Sequence, residues 1–157
     1  MKNLAIGIAM TVICAGCASL GGSSNVRELA TGDHSGVDTQ EVHDLHNVKD
    51  FQTWWNKAYA SFSTVPALPQ VDFTKDMVVA AFLGEKAHSG FTMRVVKVDE
   101  TPDAYNVEIN VKIPGDTCHA TQMKTQPFEF VAVPDNKGKF INWNVKQSYK
   151  DCSSSRI

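Results

Sequence analysis

Met77-Val78-Val79-Ala80-Ala81-Phe82-Leu83 runs seven apolar residues without a break. A strand with one wet face alternates polar and apolar side chains, so a continuous run of this length, closed by Gly84, predicts a central strand covered on both faces. The opposite pattern follows downstream. Between Tyr105 and Ile113, Tyr105, Val107, Ile109, Val111 and Ile113 share one face and Asn106, Glu108, Asn110 and Lys112 the other, which predicts a half-buried strand. Phe91 to Val98 alternates until the adjacent Val95-Val96 breaks phase, as a bulge does, and Thr101-Pro102-Asp103 supplies the turn of a β-hairpin.

Working outward, Pro114-Gly115-Asp116 starts another turn, and Phe128 to Val133 reads as a strand stopped by Pro134. Asp135-Asn136-Lys137-Gly138 then leads into Phe140 to Val145, which predicts a closing hairpin between these two strands. Val26 to Ala30 and Asp38 to Leu45 are weaker strand candidates around Gly32 and Gly36. Asn47 caps a helix whose positions Val48, Phe51, Trp54, Trp55, Ala58, Tyr59 and Phe62 keep the three-and-four spacing, so a helix is expected over about 47–62, ending before Pro66. The sum is α+β: a mostly antiparallel sheet, half-open barrel or sandwich, with one principal helix.

The chain has 157 residues, 43% of them hydrophobic, which fills one ordinary core. Its 15 basic and 17 acidic side chains leave a net charge of -2, so no broad positive field exists for a nucleic-acid backbone. Eight Phe and 20% charged residues argue against wholesale disorder.

Lys2 and the apolar run Leu4 to Ile13 are laid out as an export signal, half the length a membrane-spanning helix needs. The run closes in Ile13-Cys14-Ala15-Gly16-Cys17, which resembles the lipobox of bacterial lipoprotein signals, with Cys14 where that motif usually has Leu. The resemblance implies a signal peptide over 1–16 and a lipidated N-terminus at Cys17, with acyl chains such as palmitate holding the protein to a membrane. Ala18 is not the Asp of the inner-membrane sorting pattern, so attachment to the outer membrane facing the periplasm is expected. Residues 17–25, rich in Gly and Ser, read as a flexible linker, and a folded domain is expected over 26–157. Cys118 and Cys152 would then sit in an oxidising compartment, where a disulfide between them is expected, two independent buried thiols being the alternative.

No stretch points to catalysis. Asp33-His34-Ser35 contains the residue types of a triad, but consecutive residues do not converge as nucleophile, base and orienter, and a polar turn between Gly32 and Gly36 is the simpler reading. His43 and His46, with Glu41 and Asp44, lack a third ligand at a familiar metal spacing, and His88 and His119 are isolated. Phosphate-binding loops, dinucleotide fingerprints and nucleophile elbows are missing, so neither an enzyme nor a cofactor is expected. Trp54 and Trp55, about 100° apart on a helix, cannot both face the core alike and should bracket the helix–sheet seam.

Val71-Asp72-Phe73, Met77 to Leu83, Gly84-Glu85-Lys86, Gly90-Phe91, Pro114-Gly115 and Thr125-Gln126-Pro127-Phe128 resemble, in that order, the C-terminal domain of PrcB-type protease-complex subunits. In that family a lipoprotein accompanies and stabilises a secreted or surface protease, so the resemblance implies a protein partner of that class. The family loop reads approximately Gly-x-Lys-Pro-Thr-Gly-Gly-Tyr; here Ala87, His88 and Ser89 replace Pro, Thr and Gly, and Phe91 replaces Tyr. The loop Gly84, Glu85, Lys86, Ala87, His88, Ser89, Gly90 and Phe91 joins two strands with glycines at both ends, the way a rigid scaffold presents a short segment to a partner, or simply a hairpin connection. Two functions are expected from this: a non-catalytic protein-binding lipoprotein that associates with, and stabilises or modulates, an exported protease or another envelope protein, or a structural or stress-related envelope lipoprotein with no dedicated protease partner.

Overall fold

The structure is a computed structural model that describes residues 26–135 and 139–153. Its elements, in order, are β1 (Arg27–Gly32), β2 (Gln40–Leu45), α1 (Val48–Ala58), β3 (Asp76–Leu83), β4 (Thr92–Glu100), β5 (Ala104–Pro114), β6 (Phe128–Pro134) and β7 (Phe140–Lys150). Two sheets form, β1-β6-β3-β2 and β4-β5-β7. Every pairing is antiparallel except β5 with β7, and the sheets stack without closing into a barrel.

β3 explains the layering. Val78, Ala80 and Phe82 point to one side, into a cluster with Phe51, Trp55, Ala58, Phe128 and Phe130. Met77, Val79, Ala81 and Leu83 point to the other, against Met93, Val95, Val107, Ile109 and Val111 of the second sheet. The first sheet is therefore the middle of three layers, with α1 on one face and the second sheet on the other. The expected covered strand and α+β class are what the chain builds.

α1 begins as its sequence dictates: the Asn47 side chain accepts the Asp50 N–H at 3.0 Å, and the Asp50 carboxylate sits in the first turn. It ends earlier than expected. Tyr59 leaves helical geometry at φ -106°, ψ 14°, and the Trp55 indole donates to Pro66 O at 2.9 Å, drawing the following segment back over the helix end. Phe62 is consequently off the helix and exposed, with its ring 5.2 Å from that of Tyr59.

The expected hairpin between Phe128–Val133 and Phe140–Val145 does not form. β6 pairs with β1 and β3, whereas β7 lies parallel to β5 in the other sheet. Burial decides this: β6 is covered on both faces and must lie inside the middle layer, while most of β7 is exposed and can only serve the outer one. The sequence between 84 and 91 is likewise not a hairpin connection, because β3 and β4 belong to different sheets.

Glu129 is a carboxylate placed between the sheets, with its side chain 2% exposed. Its Oε2 accepts the Val95 N–H at 2.5 Å, at the bulge where β4 shifts register against β5 between Val95 and Lys97. Its Oε1 lies 3.7 Å from Arg94 Nε, and Arg94 also donates to Thr31 Oγ1 at 2.5 Å, tying β4 to β1 and β6. Burial pushes the Glu129 pKa up to about 7, more strongly than the Val95 N–H and the Arg94 charge pull it down, with Glu28 adding repulsion.

Two outcomes follow from this packing. The Phe130 ring lies 5.3–5.9 Å from those of Trp55, Phe51, Phe82 and Phe128, so Phe130→Ala should cost about 3–5 kcal/mol in urea unfolding. Because Glu129 holds its proton more tightly folded than unfolded, its contribution is complete below the ordinary carboxyl range and is lost as pH rises through about 7. Thermal melts of the parent should fall between pH 5 and 8 by an amount on the order of 1–3 kcal/mol, and Glu129→Gln should flatten that slope.

Candidate functional site: the loop between the sheets

The loop that follows β3 is built by backbone hydrogen bonds. Leu83 N–H donates to Pro127 O at 2.9 Å, and Gly84 then turns the chain at φ +72°. A Cβ there would meet Asp38 O at 2.7 Å and Gln40 N at 2.9 Å, so both the conformation and the space demand glycine. Glu85 N–H donates to Asp38 O at 2.9 Å. Lys86 and Thr125 exchange two backbone bonds, at 2.8 and 3.0 Å. The Thr125 hydroxyl donates to His88 O, and Ser89 is bonded to Thr121 through both its N–H (3.0 Å) and its hydroxyl (2.9 Å). Gly90, at φ +99°, hands the chain to Phe91, whose ring packs 5.0 Å from His88 and against the inter-sheet core.

The loop is therefore one ply of a two-ply edge, the other being the strap from Thr121 to Gln126. The strap is fastened in turn: Gln126 N–H donates to Asp33 O at 2.7 Å, and its side-chain amide to Asp38. Cys118 and Cys152 are disulfide-bonded, with 5.0 Å between their Cα atoms, which joins the start of this region to the end of β7. What the loop presents is the side chains of Glu85 and Ala87, with Lys86, His88, Ser89 and Phe91 half-buried. Glu85 pairs with Lys124 of the strap at 2.7 Å, and that hydrogen bond holds the Lys124 pKa above its ordinary value. Met123, 53% exposed, adds an apolar side chain on the strap. The strap carries no periodic signal that marks it as part of the site, although its last residues, Thr125 and Gln126, open the motif Thr125-Gln126-Pro127-Phe128.

The other sequence candidates separate. Ser35 is buried, with its hydroxyl beside the Val37 backbone at 3.3 Å, while His34 is exposed and only bridges to Gln126, so Asp33, His34 and Ser35 form a turn and do not converge. His43 bonds Glu41 at 2.8 Å and stacks on Trp54, ring centroids 3.7 Å apart. Trp54 and Trp55 do bracket the seam: Trp55 is buried in the aromatic cluster, and Trp54 lies at the rim between His43 and Phe82, with the Lys57 ammonium 4.3 Å from its ring. His46 is held by Asp135 (2.9 Å) and Asp44 (3.0 Å); partial burial opposes its charge, but these carboxylates outweigh it and raise its pKa. His119 stays apart, lining a small concavity with Gly90 and the disulfide. Cys17 and the 17–25 linker lie outside the described residues.

The family comparison covers the quoted motifs from Met77 onward and leaves Val71-Asp72-Phe73 outside. Residues 77–134 match the PrcB C-terminal family model. The matched stretch thus runs from β3 through the β4–β5 hairpin to the end of β6, and contains the whole loop and the whole strap. α1, β1, β2 and β7 lie outside it. No curated protein and no solved structure matches the chain.

Gly84→Ala should destabilise the domain by about 1–3 kcal/mol from backbone strain alone, before the clash with Asp38 is added, and amide exchange of Glu85 and Lys86 should accelerate with it.

Proposed function

We propose that this chain is an envelope-anchored lipoprotein, tethered through Cys17, that acts as a non-catalytic binding subunit for an exported protease. The observation that carries the reading is the PrcB C-terminal match over 77–134, which hints at a protease-associated subunit. The loop chemistry supports it. A contact surface for a protein gains affinity when little of it has to be ordered on binding, and here the Gly84–Phe91 backbone is already bonded to Asp38, Thr121 and Thr125. Glu85, Ala87, Lys124 and Met123 give that edge a charged pair flanked by apolar side chains.

Ser89 and Phe91 serve the fold and are poor positions for testing contact, whereas Glu85 and Ala87 point outward. The full-length chain, tagged and crosslinked in intact envelopes, should capture an exported protease, and the double variant Glu85→Lys with Ala87→Arg should lose at least about tenfold of it at unchanged circular dichroism. Equal capture by the double variant would remove the loop from the interface. Capture of no protease by either form would reject the association itself.

A further inference from the structure

The backbone of β7 has a definite polarity. Phe140 N–H donates to Asp103 O at 3.1 Å, and Lys150 O accepts the Gly115 N–H at 3.0 Å. The parallel register with β5 is uninterrupted from one to the other, so the even-numbered residues of β7 direct their backbone groups to β5. Ile141, Trp143, Val145, Gln147 and Tyr149 direct theirs to the open edge, where no described strand pairs with them.

The other sheet edges are blunted. β1 has six residues and an irregularity between Glu28 and Ala30; β2 has six and carries Glu41 and Asp44; β4 is bulged between Val95 and Lys97. β7 has eleven residues, no shift and no proline, and the side chains on its sheet-facing side are all uncharged. Tyr149 and Phe140 are 78% and 77% exposed, and Val145 37%.

We propose that β7 is a self-pairing edge, on which a second copy of this chain lays its own β7 antiparallel about a two-fold axis at Val145, continuing the outer sheet across both subunits. The strand's own composition selects this occupant. In the register of full overlap, Val145 faces its counterpart, Trp143 faces Gln147, and Ile141 faces Tyr149, so all the edge-directed backbone groups meet as hydrogen-bonded pairs. The remaining pairs set Asn144 against Lys146, Asn142 against Ser148, and Phe140 against Lys150, an aromatic ring opposite an ammonium. No lysine opposes a lysine, and the midpoint residue is one whose backbone points outward, so complete overlap and correct hydrogen bonding coincide.

The full-length chain in mild detergent should sediment as a dimer at micromolar concentration. Val145→Lys sets two ammonium groups across the axis, and Val145→Pro removes an edge N–H that the β5 ladder does not use; each should give monomers with the parent's circular dichroism. Should the proline variant fail to fold, the lysine variant still decides. Under oxidation Val145→Cys should give a covalent dimer absent from the parent, whereas Ser148→Cys, which faces Asn142, should not. A monomeric parent, a dimer that survives Val145→Lys, or equal crosslinking at 145 and 148 would each overturn the proposal, as would a monomeric parent whose β7 edge is occupied by a different protein.

Discussion

Burying β3 on both faces is the constraint the rest of the molecule answers. A strand with Met77, Val79 and Ala81 on one side and Val78, Ala80 and Phe82 on the other has no side to offer water, so two separate layers must cover it. α1 covers one with Phe51, Trp55 and Ala58. The second sheet covers the other, and the chain must leave the first sheet immediately after Leu83 to make it. The 84–91 loop exists because of that departure: it is the crossing between layers, and its two positive-φ glycines and its backbone bonds to Asp38, Thr121 and Thr125 are what a crossing at the rim of a packed core requires.

The same inter-layer space holds Glu129, and the arrangement shows how a bulge and a buried acid satisfy each other. The bulge at Val95 gives β4 a backbone N–H that points into the core, and the Glu129 carboxyl accepts it. Either partner alone would be an unsatisfied buried polar group, costing about 1–3 kcal/mol. Burial raises the Glu129 pKa toward neutrality, and the Arg94 guanidinium, shared with Thr31, limits that rise. Glu129 thereby ties β6 to β4, Arg94 extends the tie to β1, and apolar packing could not replace the carboxyl without leaving the Val95 N–H unpaired.

Much of this was legible in the sequence because it is local. The unbroken Met77–Leu83 run, the alternation of Tyr105–Ile113, the phase break at Val95-Val96 and the Asn47 cap each express a period or a cap that the backbone obeys, and the Cys118–Cys152 bond followed from counting. What failed was pairing. Asp135 to Gly138 is turn-like, and proximity suggested a hairpin, but neighbours in sequence were overruled by burial: Phe128–Val133 has apolar side chains in both phases except Glu129, and β7 alternates apolar with polar over its first half. The loop was found by its glycines. The strap was not found as structure, since Thr121 to Gln126 has no period, and its role lies in hydrogen bonds to residues more than thirty positions away in the chain.

The parallel placement of β7 has a mechanical consequence for the loop. An antiparallel β7 would have finished beside Thr101 and Ala104; running parallel to β5, it finishes beside Pro114 and Gly115, next to the strap. Lys150 O takes the Gly115 N–H, Asp151 accepts from the Thr117 hydroxyl at 2.9 Å, and Cys152 closes the disulfide onto Cys118. From there the connection continues through Thr121 to Ser89 and through Thr125 to Lys86. A segment with no regular structure is in this way clamped between the loop and the last strand, and the strand whose edge is open is also the strand that holds the loop's support in place. β7 and the loop are thus joined by a chain of covalent and hydrogen-bonded links that does not pass through the apolar core.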